Sequence, residues 1–279
     1  MPHPGAVTGL SDQPPRAMRA EARRVYGEDP LGYEAGRPAY PARVDEVLTT
    51  RCGLGPGTDA LEVGPGTGRA TRALLARGAR VVAVEPDPTL AAKLPGLVGA
   101  EGRPELQVVA AGFEEAELPE GAFDLAAAAT SFHWVDQAVG LPKLGRLLRP
   151  GGWAALWWTV FGDHTRPDPF HDATCGLLGV PPRPVGSPPA FELDEDARRA
   201  DLAGLAGLGD VRCDMVRWSS GRLGPDGVRA MYASLITVRR RPPAEREQVL
   251  DALVEVAKGE FGGVVERPFV TAIYTGRRP

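Results

Sequence analysis

The chain has 279 residues, 43% hydrophobic and 24% charged, which is typical of a folded globular protein and not of a disordered one. Lysine and arginine total 32 against 36 acidic residues, a net charge of -4, whereas nucleic-acid-binding proteins usually carry a positive surplus. The three widely spaced cysteines indicate neither a disulfide framework nor a zinc site, and no apolar run approaches the roughly 20 residues of a membrane helix.

The N-terminal region is rich in proline and glycine and has no apolar signal-peptide core. We therefore predict a flexible tail over residues 1–25 and a cytoplasmic protein. From residue 42 onward, short apolar strands alternate with amphipathic helices. Strands are predicted at 60–63, 80–84, 106–110, 123–129 and 153–159, and helices at 42–51, 67–77, 87–94 and 141–148.

The regular alternation stops after residue 160, which divides the chain. Residues 26–160 are predicted to form a cofactor-binding core with an N-terminal cap segment, and residues 161–208 an inserted lid or substrate region. Residues 209–279 are predicted to return to the core sheet, with a helical insertion at 219–262. Near-continuous apolar strands between helices indicate a parallel sheet that is covered on both faces. The sequence therefore predicts an α/β, Rossmann-like, doubly wound fold.

A glycine-rich turn follows the first strand, in the stretch Leu-Glu-Val-Gly-Pro-Gly-Thr-Gly at 61–68. Gly64 and Gly66 allow a ligand to approach the backbone closely. Glu62, two residues before the first glycine, would repel a pyrophosphate but accept a hydrogen bond from an ammonium group. Arg69 stands where a dinucleotide-binding motif has its third glycine. The pattern indicates a ligand with a cationic end and no phosphates.

Further candidates follow the second and third strands. Glu85 lies at the end of the second strand, 21 positions after Gly64, where a carboxylate binds both hydroxyls of a ribose. Gly112 and Phe113 follow the third strand, and a flat apolar side chain beside exposed backbone suits an adenine. Packing of Phe113 in the core is the alternative interpretation.

These residues resemble the class I S-adenosylmethionine-dependent methyltransferases over about residues 26–160. The chain is similar in particular to the small-molecule group that includes the trans-aconitate methyltransferase-like and type 11 methyltransferases. Features of that group are the stretch Tyr-x-x-x-Arg-Pro-x-Tyr-Pro, here at 33–41, and a His-Trp pair after the fourth strand, here at 133–134. The resemblance implies a mostly parallel seven-stranded sheet with an antiparallel last strand and a helical lid.

The resemblance also implies a function and a site. S-adenosyl-L-methionine would be the cofactor, and an O, N or C nucleophile or a carboxylate of a small molecule would receive the methyl group. No nucleic acid or membrane partner is expected, and the choice between monomer and homodimer stays open. The implied cofactor-binding residues are Tyr33, Arg37, Glu62, Gly64, Pro65, Gly66, Glu85, Pro86, Gly112, Phe113, Thr130 and His133.

Several of these residues have more than one possible role. Glu62 either supports the turn or binds the cofactor's ammonium group. Tyr33 and Arg37 either fold over the cofactor, with Arg37 on its carboxylate, or pack as an N-terminal helix. His133 is the candidate general base, because it follows the fourth strand at the carboxyl edge of the sheet, and a positional role is its alternative.

Trp134, Trp158 and Tyr232 are the candidate substrate-contacting residues. No metal site is predicted, because the histidines and aspartates within 163–172 are loosely spaced. A nicotinamide-dependent oxidoreductase is the first alternative function, although the chain lacks the long glycine spacing and a Tyr-x-x-x-Lys pair. A non-catalytic regulator that binds the cofactor is the second. An RNA methyltransferase is disfavoured by the acidic charge.

Overall fold

The structure is a computed structural model that describes residues 30–279, and its centre is a seven-stranded sheet in the order β3-β2-β1-β4-β5-β7-β6. The first five strands are parallel, and β7 runs antiparallel to both of its neighbours. This confirms the predicted doubly wound sheet with an antiparallel last strand, whereas the predicted tail at 1–25 lies outside the described residues. The strands are β1 (Asp59–Val63), β2 (Arg80–Glu85), β3 (Leu106–Ala110), β4 (Phe123–Ala129), β5 (Leu148–Phe161), β6 (Gly209–Ser219) and β7 (Pro268–Arg277).

Helices cover both faces of the sheet and its carboxyl edge. The α-helix at Ala42–Glu46 continues as one π-helical turn over Val47–Arg51. Two 3₁₀ turns occur, at Phe132–Trp134 and Phe191–Leu193. The α-helices are α1 (Pro30–Gly36), α2 (Ala42–Glu46), α3 (Arg69–Ala76), α4 (Pro88–Leu97), α5 (Gln137–Leu147), α6 (Pro169–Leu178), α7 (Glu195–Gly204), α8 (Pro225–Ala233), α9 (Ile236–Arg239) and α10 (Pro243–Phe261).

The strands are buried on both faces, as a doubly wound sheet requires. Along β4, Leu125 and Ala127 belong to one core cluster, and Ala126 and Ala128 belong to the cluster on the other face. This alternation follows from the two-residue period of a strand. The small side chains of β4 allow close packing at the middle of the sheet. The segment that follows β4 contributes residues to the candidate site described below.

A third core cluster lies over β7 and contains apolar side chains of α6, α8, α9 and α10. These helices form the predicted lid, but α6 itself was not predicted, because the proline- and glycine-rich composition of 161–190 indicates loops. Its start is a local feature: the Asp168 side chain accepts a hydrogen bond from the His171 N–H, and Pro169 is the first helical residue. Asp87 caps α4 in the same way.

The cap segment begins with α1, which packs closely on α8. A Cβ at Gly36 would lie 2.1 Å from the Ala230 carbonyl oxygen, so only glycine allows this approach. The helix therefore connects the N-terminal part of the described chain to the lid. Within residues 30–279, no helix combines the length and the apolar character that crossing a membrane requires.

Candidate functional site

A cavity of about 470 Å³ lies at the carboxyl ends of β1, β2, β4 and β5, beneath the cap segment and the lid. Its volume is in the range of small-molecule sites, which is roughly 300–1,000 Å³. Among the predicted site residues, Glu62, Gly112 and Trp158 are absent from its wall. The predicted residues that line it are Tyr33, Arg37, Gly64, Pro65, Gly66, Glu85, Pro86, Phe113, Thr130, His133, Trp134 and Tyr232.

The glycine turn between β1 and α3 forms one wall of this cavity. Gly64 and Gly66 have φ angles of +67° and +57°, which only glycine adopts without strain. A Cβ at Gly66 would meet no protein atom within 4 Å, so this residue borders open space on the cavity side. Gly68, in contrast, is pressed against Leu94 and Val98 of α4 and its end. The turn is therefore a backbone cradle that is packed behind and open in front.

Glu85 stands at the tip of β2 with its carboxylate beside this cradle. Its Oε2 accepts a hydrogen bond of 3.0 Å from the Gly66 N–H, and its Oε1 accepts one of 2.9 Å from the Asp87 N–H. The residue is buried and lines the cavity. Because a carboxylate oxygen carries two lone pairs, the group retains acceptor capacity toward a ligand. Glu85 and the glycine turn are therefore adjacent, as the sequence predicts.

Glu62 lies behind the cradle and not in the cavity wall. It is 1% exposed, and neither carboxylate oxygen has a hydrogen-bond partner among residues 30–279. Burial raises the pKa of the Glu62 carboxyl to about 7, and the charge of nearby Glu85 adds to the rise. This position keeps the carboxylate out of the cavity wall, and the two alternatives for Glu62 stay predictions.

Beyond Glu85 the cavity becomes apolar. Pro86 and Leu90 contribute to its wall after β2, and Phe113 contributes from the segment after β3. The Phe113 ring is buried at 6.0 Å from the Phe132 ring, so it serves the core and the cavity together. Gly112 is next to this wall in sequence but does not line the cavity.

Thr130, directly after β4, has a strained backbone. Its φ angle of +55° is an outlier for a β-branched residue. The Thr130 N–H donates to the Trp157 carbonyl oxygen at 2.7 Å, and its hydroxyl oxygen lies 3.3 Å from that of Tyr40. Tyr40 also lines the cavity, although sequence reasoning did not select it. Its place in the Tyr-Pro pair of the cap motif was the available signal.

His133, in the cavity wall, forms a buried pair with Trp158, which lies behind the wall. The Trp158 Nε1–H donates a hydrogen bond of 2.8 Å to His133 Nδ1, and the His133 ring also lies 4.5 Å from the Trp134 ring. Burial lowers the pKa of His133; the carboxylate of Glu192, 3.9 Å from Nδ1, acts in the opposite direction. Trp158, predicted to contact substrate, instead contacts His133.

The cap segment closes the cavity from the N-terminal side. The Arg37 guanidinium packs on the rings of Tyr33 and Phe161, with its carbon 4.9 and 4.8 Å from their centroids, and donates to the Ser234 carbonyl oxygen at 3.1 Å. Its buried Nε–H has no partner within residues 30–279. Tyr33 and Arg37 therefore lie on or beside a packed helix and also line the cavity, while their contact with a cofactor stays a prediction.

The first turn of α3 holds the cap segment in place. Arg69 donates hydrogen bonds to the carbonyl oxygens of Pro38 and Glu34, the latter at 2.9 Å, and Arg72 forms an ion pair with the Glu34 side chain. Because Arg69 directly follows the cradle, the cap and the glycine turn are mechanically connected.

The lid end of the cavity contains a buried ion pair that the sequence did not indicate. The Arg267 guanidinium donates to Asp168 with a shortest distance of 2.6 Å, and also to the Tyr232 hydroxyl at 3.0 Å. The arginine and aspartate side chains are 3% and 9% exposed. Arg267 and Tyr232 line the cavity, so the pair joins the starts of α6 and β7 to α8 at the lid end of the cavity.

The described residues 30–279 contain no cluster of three histidine, cysteine or acidic side chains arranged to hold a metal ion. Two aspartates within 163–172 have other partners. Asp163 accepts hydrogen bonds from Thr165 and lies 3.4 Å from Arg217, and Asp168 binds Arg267.

Comparison with known proteins identifies part of the chain. Residues 61–156 match the family model described as a methyltransferase domain. An uncharacterized methyltransferase from Mycobacterium tuberculosis is 34% identical over 146 residues, which is 51% of this chain and 55% of that relative. The chain thus matches about half the length of such curated relatives.

Solved structures share the fold at low identity. The cyclase SpnF has a TM-score of 0.58 and 16% identity over 97% of this chain and 98% of its own. Phosphoethanolamine N-methyltransferase 2 from Haemonchus contortus, solved with S-adenosyl-L-methionine, has a TM-score of 0.54 and 12% identity over 99% of this chain and 60% of its own.

Proposed function

We propose that this chain, which carries a methyltransferase domain on the fold of the class I S-adenosylmethionine-dependent methyltransferases, transfers a methyl group from S-adenosyl-L-methionine to a small-molecule acceptor. The single observation that carries the proposal is the Glu85 carboxylate, which lies on the cavity wall and is bonded to the backbone of the glycine cradle at Gly66. This arrangement suits a nucleoside with an amino-acid tail, and Arg69 in place of the third glycine departs from the dinucleotide-binding pattern.

The residues of the cavity fit that cofactor. Gly64, Pro65 and Gly66 would surround its methionine part, where a side chain at Gly66 would occupy the open space. Glu85 would accept hydrogen bonds from the ribose hydroxyls, and Pro86 and Phe113 would flank the adenine. Glu62, behind the cradle, would support the turn and leave the ammonium group to other acceptors.

The chain's own residues would act by binding, orienting and excluding water. Bound S-adenosyl-L-methionine supplies an electrophilic methyl carbon on a sulfonium, so the protein has to align a nucleophile with it. Arg37 and Tyr33 would cover the methionine end, and Tyr232 with Arg267 would bound the acceptor end. Trp134 would contact the acceptor from the β4 side.

A small molecule is the acceptor that the surroundings favour. The cavity is limited in volume, lies between the cap and the lid, and belongs to a chain with a net charge of -4. An extended nucleic acid would need a basic surface beside the site. The cytoplasmic location stays a prediction. The choice between monomer and homodimer stays open.

Calorimetric titration of the wild-type chain with S-adenosyl-L-methionine, S-adenosylhomocysteine and NADH tests the proposal. We expect the first two ligands to bind and NADH not to bind. Binding of NADH alone would instead support the oxidoreductase alternative and end the methyltransferase proposal.

The Glu85→Gln variant tests the role of the carboxylate. It loses charge-assisted hydrogen bonds worth about 1.5–3 kcal/mol, so the Kd for S-adenosylhomocysteine should rise about 10- to 100-fold. The matched control is Glu117→Gln, at an exposed acid outside the cavity wall. Equal affinities in the two variants would show that Glu85 does not bind the ligand.

A further inference from the structure

The contact between Trp158 and His133 determines where the imidazole carries its proton. An indole Nε1–H is a donor only, so the 2.8 Å hydrogen bond requires a free lone pair on His133 Nδ1. A neutral imidazole with an unprotonated Nδ1 has its proton on Nε2. Nε2 itself has no hydrogen-bond partner within residues 30–279 and is not among the fully buried polar atoms, which leaves it facing the cavity that the ring lines.

Packing holds the indole in this donor position. Trp158 lies on β5 and is 2% exposed. Its ring meets those of Phe191 and Tyr274 edge-to-face, with centroid distances of 6.4 and 5.9 Å. His133 lies on the 3₁₀ turn after β4, the strand that pairs with β5. The donor is therefore part of the rigid sheet and is not a mobile side chain.

Protonation of His133 is opposed by the same contact. An imidazolium carries a proton on both nitrogens, so its Nδ1–H would point at the indole N–H. Burial and the nearby Arg37 charge also lower the pKa of His133, and the Glu192 carboxylate from the turn at Phe191–Leu193 is the charge that raises it. Burial, the Arg37 charge and the indole favour a neutral ring and outweigh the opposing Glu192 carboxylate.

We propose that His133 donates a hydrogen bond to a bound ligand through Nε2–H and does not act as a general base, and that Trp158 is the positioning residue that fixes this tautomer. The ligand part of this inference rests on the proposed function. A general base would have to accept a proton at Nε2, which already carries one.

Methyl transfer would then proceed without His133 accepting a proton. The acceptor's lone pair would form the bond to the methyl carbon as the carbon–sulfur bond breaks and its electron pair stays on sulfur. A carboxylate acceptor has no proton to lose, and any proton on another acceptor would go to water and not to His133. The lone pair that receives the Nε2–H bond belongs either to the cofactor's carboxylate or to the acceptor.

Long-range ¹H–¹⁵N correlation spectra of the ligand-free protein, labelled at histidine nitrogen, test this tautomer directly. The chain contains four histidines, and the His133→Asn variant assigns the resonance of interest. We expect a neutral Nε2–H ring at pH 7. A neutral Nδ1–H ring or an imidazolium at that pH would overturn the proposal, and this wild-type measurement does not depend on whether any variant folds.

Two variants separate positioning from general structural effects. Trp158→Phe removes the donor and keeps an aromatic ring, so we expect a mixture of tautomers and a higher pKa of His133. The matched control, Glu192→Gln, removes a charge and should lower that pKa while the tautomer stays Nε2–H. An unchanged tautomer and pKa in folded Trp158→Phe would contradict the positioning role.

Two ligands distinguish the possible partners of Nε2–H. S-adenosylhomocysteine contains the amino-acid carboxylate, and 5′-methylthioadenosine has the same nucleoside without it. A change in the His133 resonances with the first ligand alone assigns the bond to the cofactor's carboxylate, and no change with either assigns it to the acceptor. Because the tautomer is read without ligand, failure of S-adenosylhomocysteine to bind would end the proposed function and leave the tautomer result standing.

Discussion

The two ends of the cavity are built in different ways. The proposed cofactor end, defined here as Gly64–Gly68 with Glu85 and Phe113, is shaped by backbone, and its central hydrogen bond joins residues 19 positions apart. The proposed acceptor end, defined as His133, Trp158, Asp168, Tyr232 and Arg267, is shaped by side chains. Its ion pair joins residues 99 positions apart.

This difference determines which substitutions each end tolerates. A backbone cradle depends on positive φ angles and on the absence of Cβ atoms, so it tolerates changes in distant side chains. A cluster of buried side chains depends on every member having its partner, because an uncompensated buried charge is costly. We therefore expect substitutions at the acceptor end to affect stability more than cofactor binding.

The largest expected effect comes from Arg267→Met, which leaves Asp168 buried without its cation. Breaking a buried ion pair costs about 3–5 kcal/mol, so the free energy of unfolding from denaturant titration should fall by about that amount. The Kd for S-adenosylhomocysteine in the folded variant should change less than about threefold, which is under about 0.7 kcal/mol.

The double variant Arg267→Met/Asp168→Asn is the control for this prediction. The asparagine has no charge to leave unpaired and keeps an oxygen for the His171 N–H at the start of α6. More than half of the lost stability should return. If the single variant loses cofactor affinity in proportion to its stability, the proposed independence of the two ends is wrong.

The same difference explains how much the sequence predicts. The strands of the core were predicted because parallel strands buried on both faces appear as apolar runs, as in Phe123–Ala129. The glycine turn and Glu85 were predicted because their spacing along the chain is fixed by one strand–helix–strand unit. The number of strands and the antiparallel β7 required the family resemblance, and the strand order was not predicted.

Most of the acceptor end has no such local signature. Arg267 and Asp168 each look like solvated charges until the lid brings them together, and Tyr40 is one aromatic among several in the cap segment. Trp158 was expected to contact substrate, because a strand that ends at the cavity points side chains toward it. The two-residue alternation of β5 instead directs this indole to His133.

A smaller effect, of about 3 kcal/mol, is expected from Glu62→Gln, and it depends on pH. The pKa of about 7 in the folded protein exceeds the ordinary 4.5, so the stabilising contribution of protonated Glu62 is complete below pH 4.5 and is lost as pH rises through 7. The glutamine variant has no such titration. Its free energy of unfolding, relative to wild type, should rise between pH 5 and pH 8 by up to about 3 kcal/mol.

The pH dependence of the Glu62→Gln variant shows whether Glu62 is an uncompensated buried charge behind the glycine turn. The exposed Glu117→Gln substitution is the control, and its difference from wild type should stay constant over the same pH range. Parallel pH curves for Glu62→Gln and wild type would mean that Glu62 is already compensated. The cradle would then resemble the acceptor end more closely than its geometry indicates.

The smallest effect is expected at Thr130, which lies between the two ends and combines a strained backbone with a side-chain hydroxyl. At a φ of +55°, glycine is favoured over alanine, so Thr130→Gly should be more stable than Thr130→Ala by about 1 kcal/mol, the reverse of the usual order. Both variants lose the hydroxyl beside Tyr40, and that loss cancels in the comparison. Thermal unfolding midpoints should differ by roughly 2–4 °C. Equal stability of the alanine and glycine variants would mean that the backbone at residue 130 moves away from its positive φ angle. The strained backbone between the two ends would then not be required for the fold.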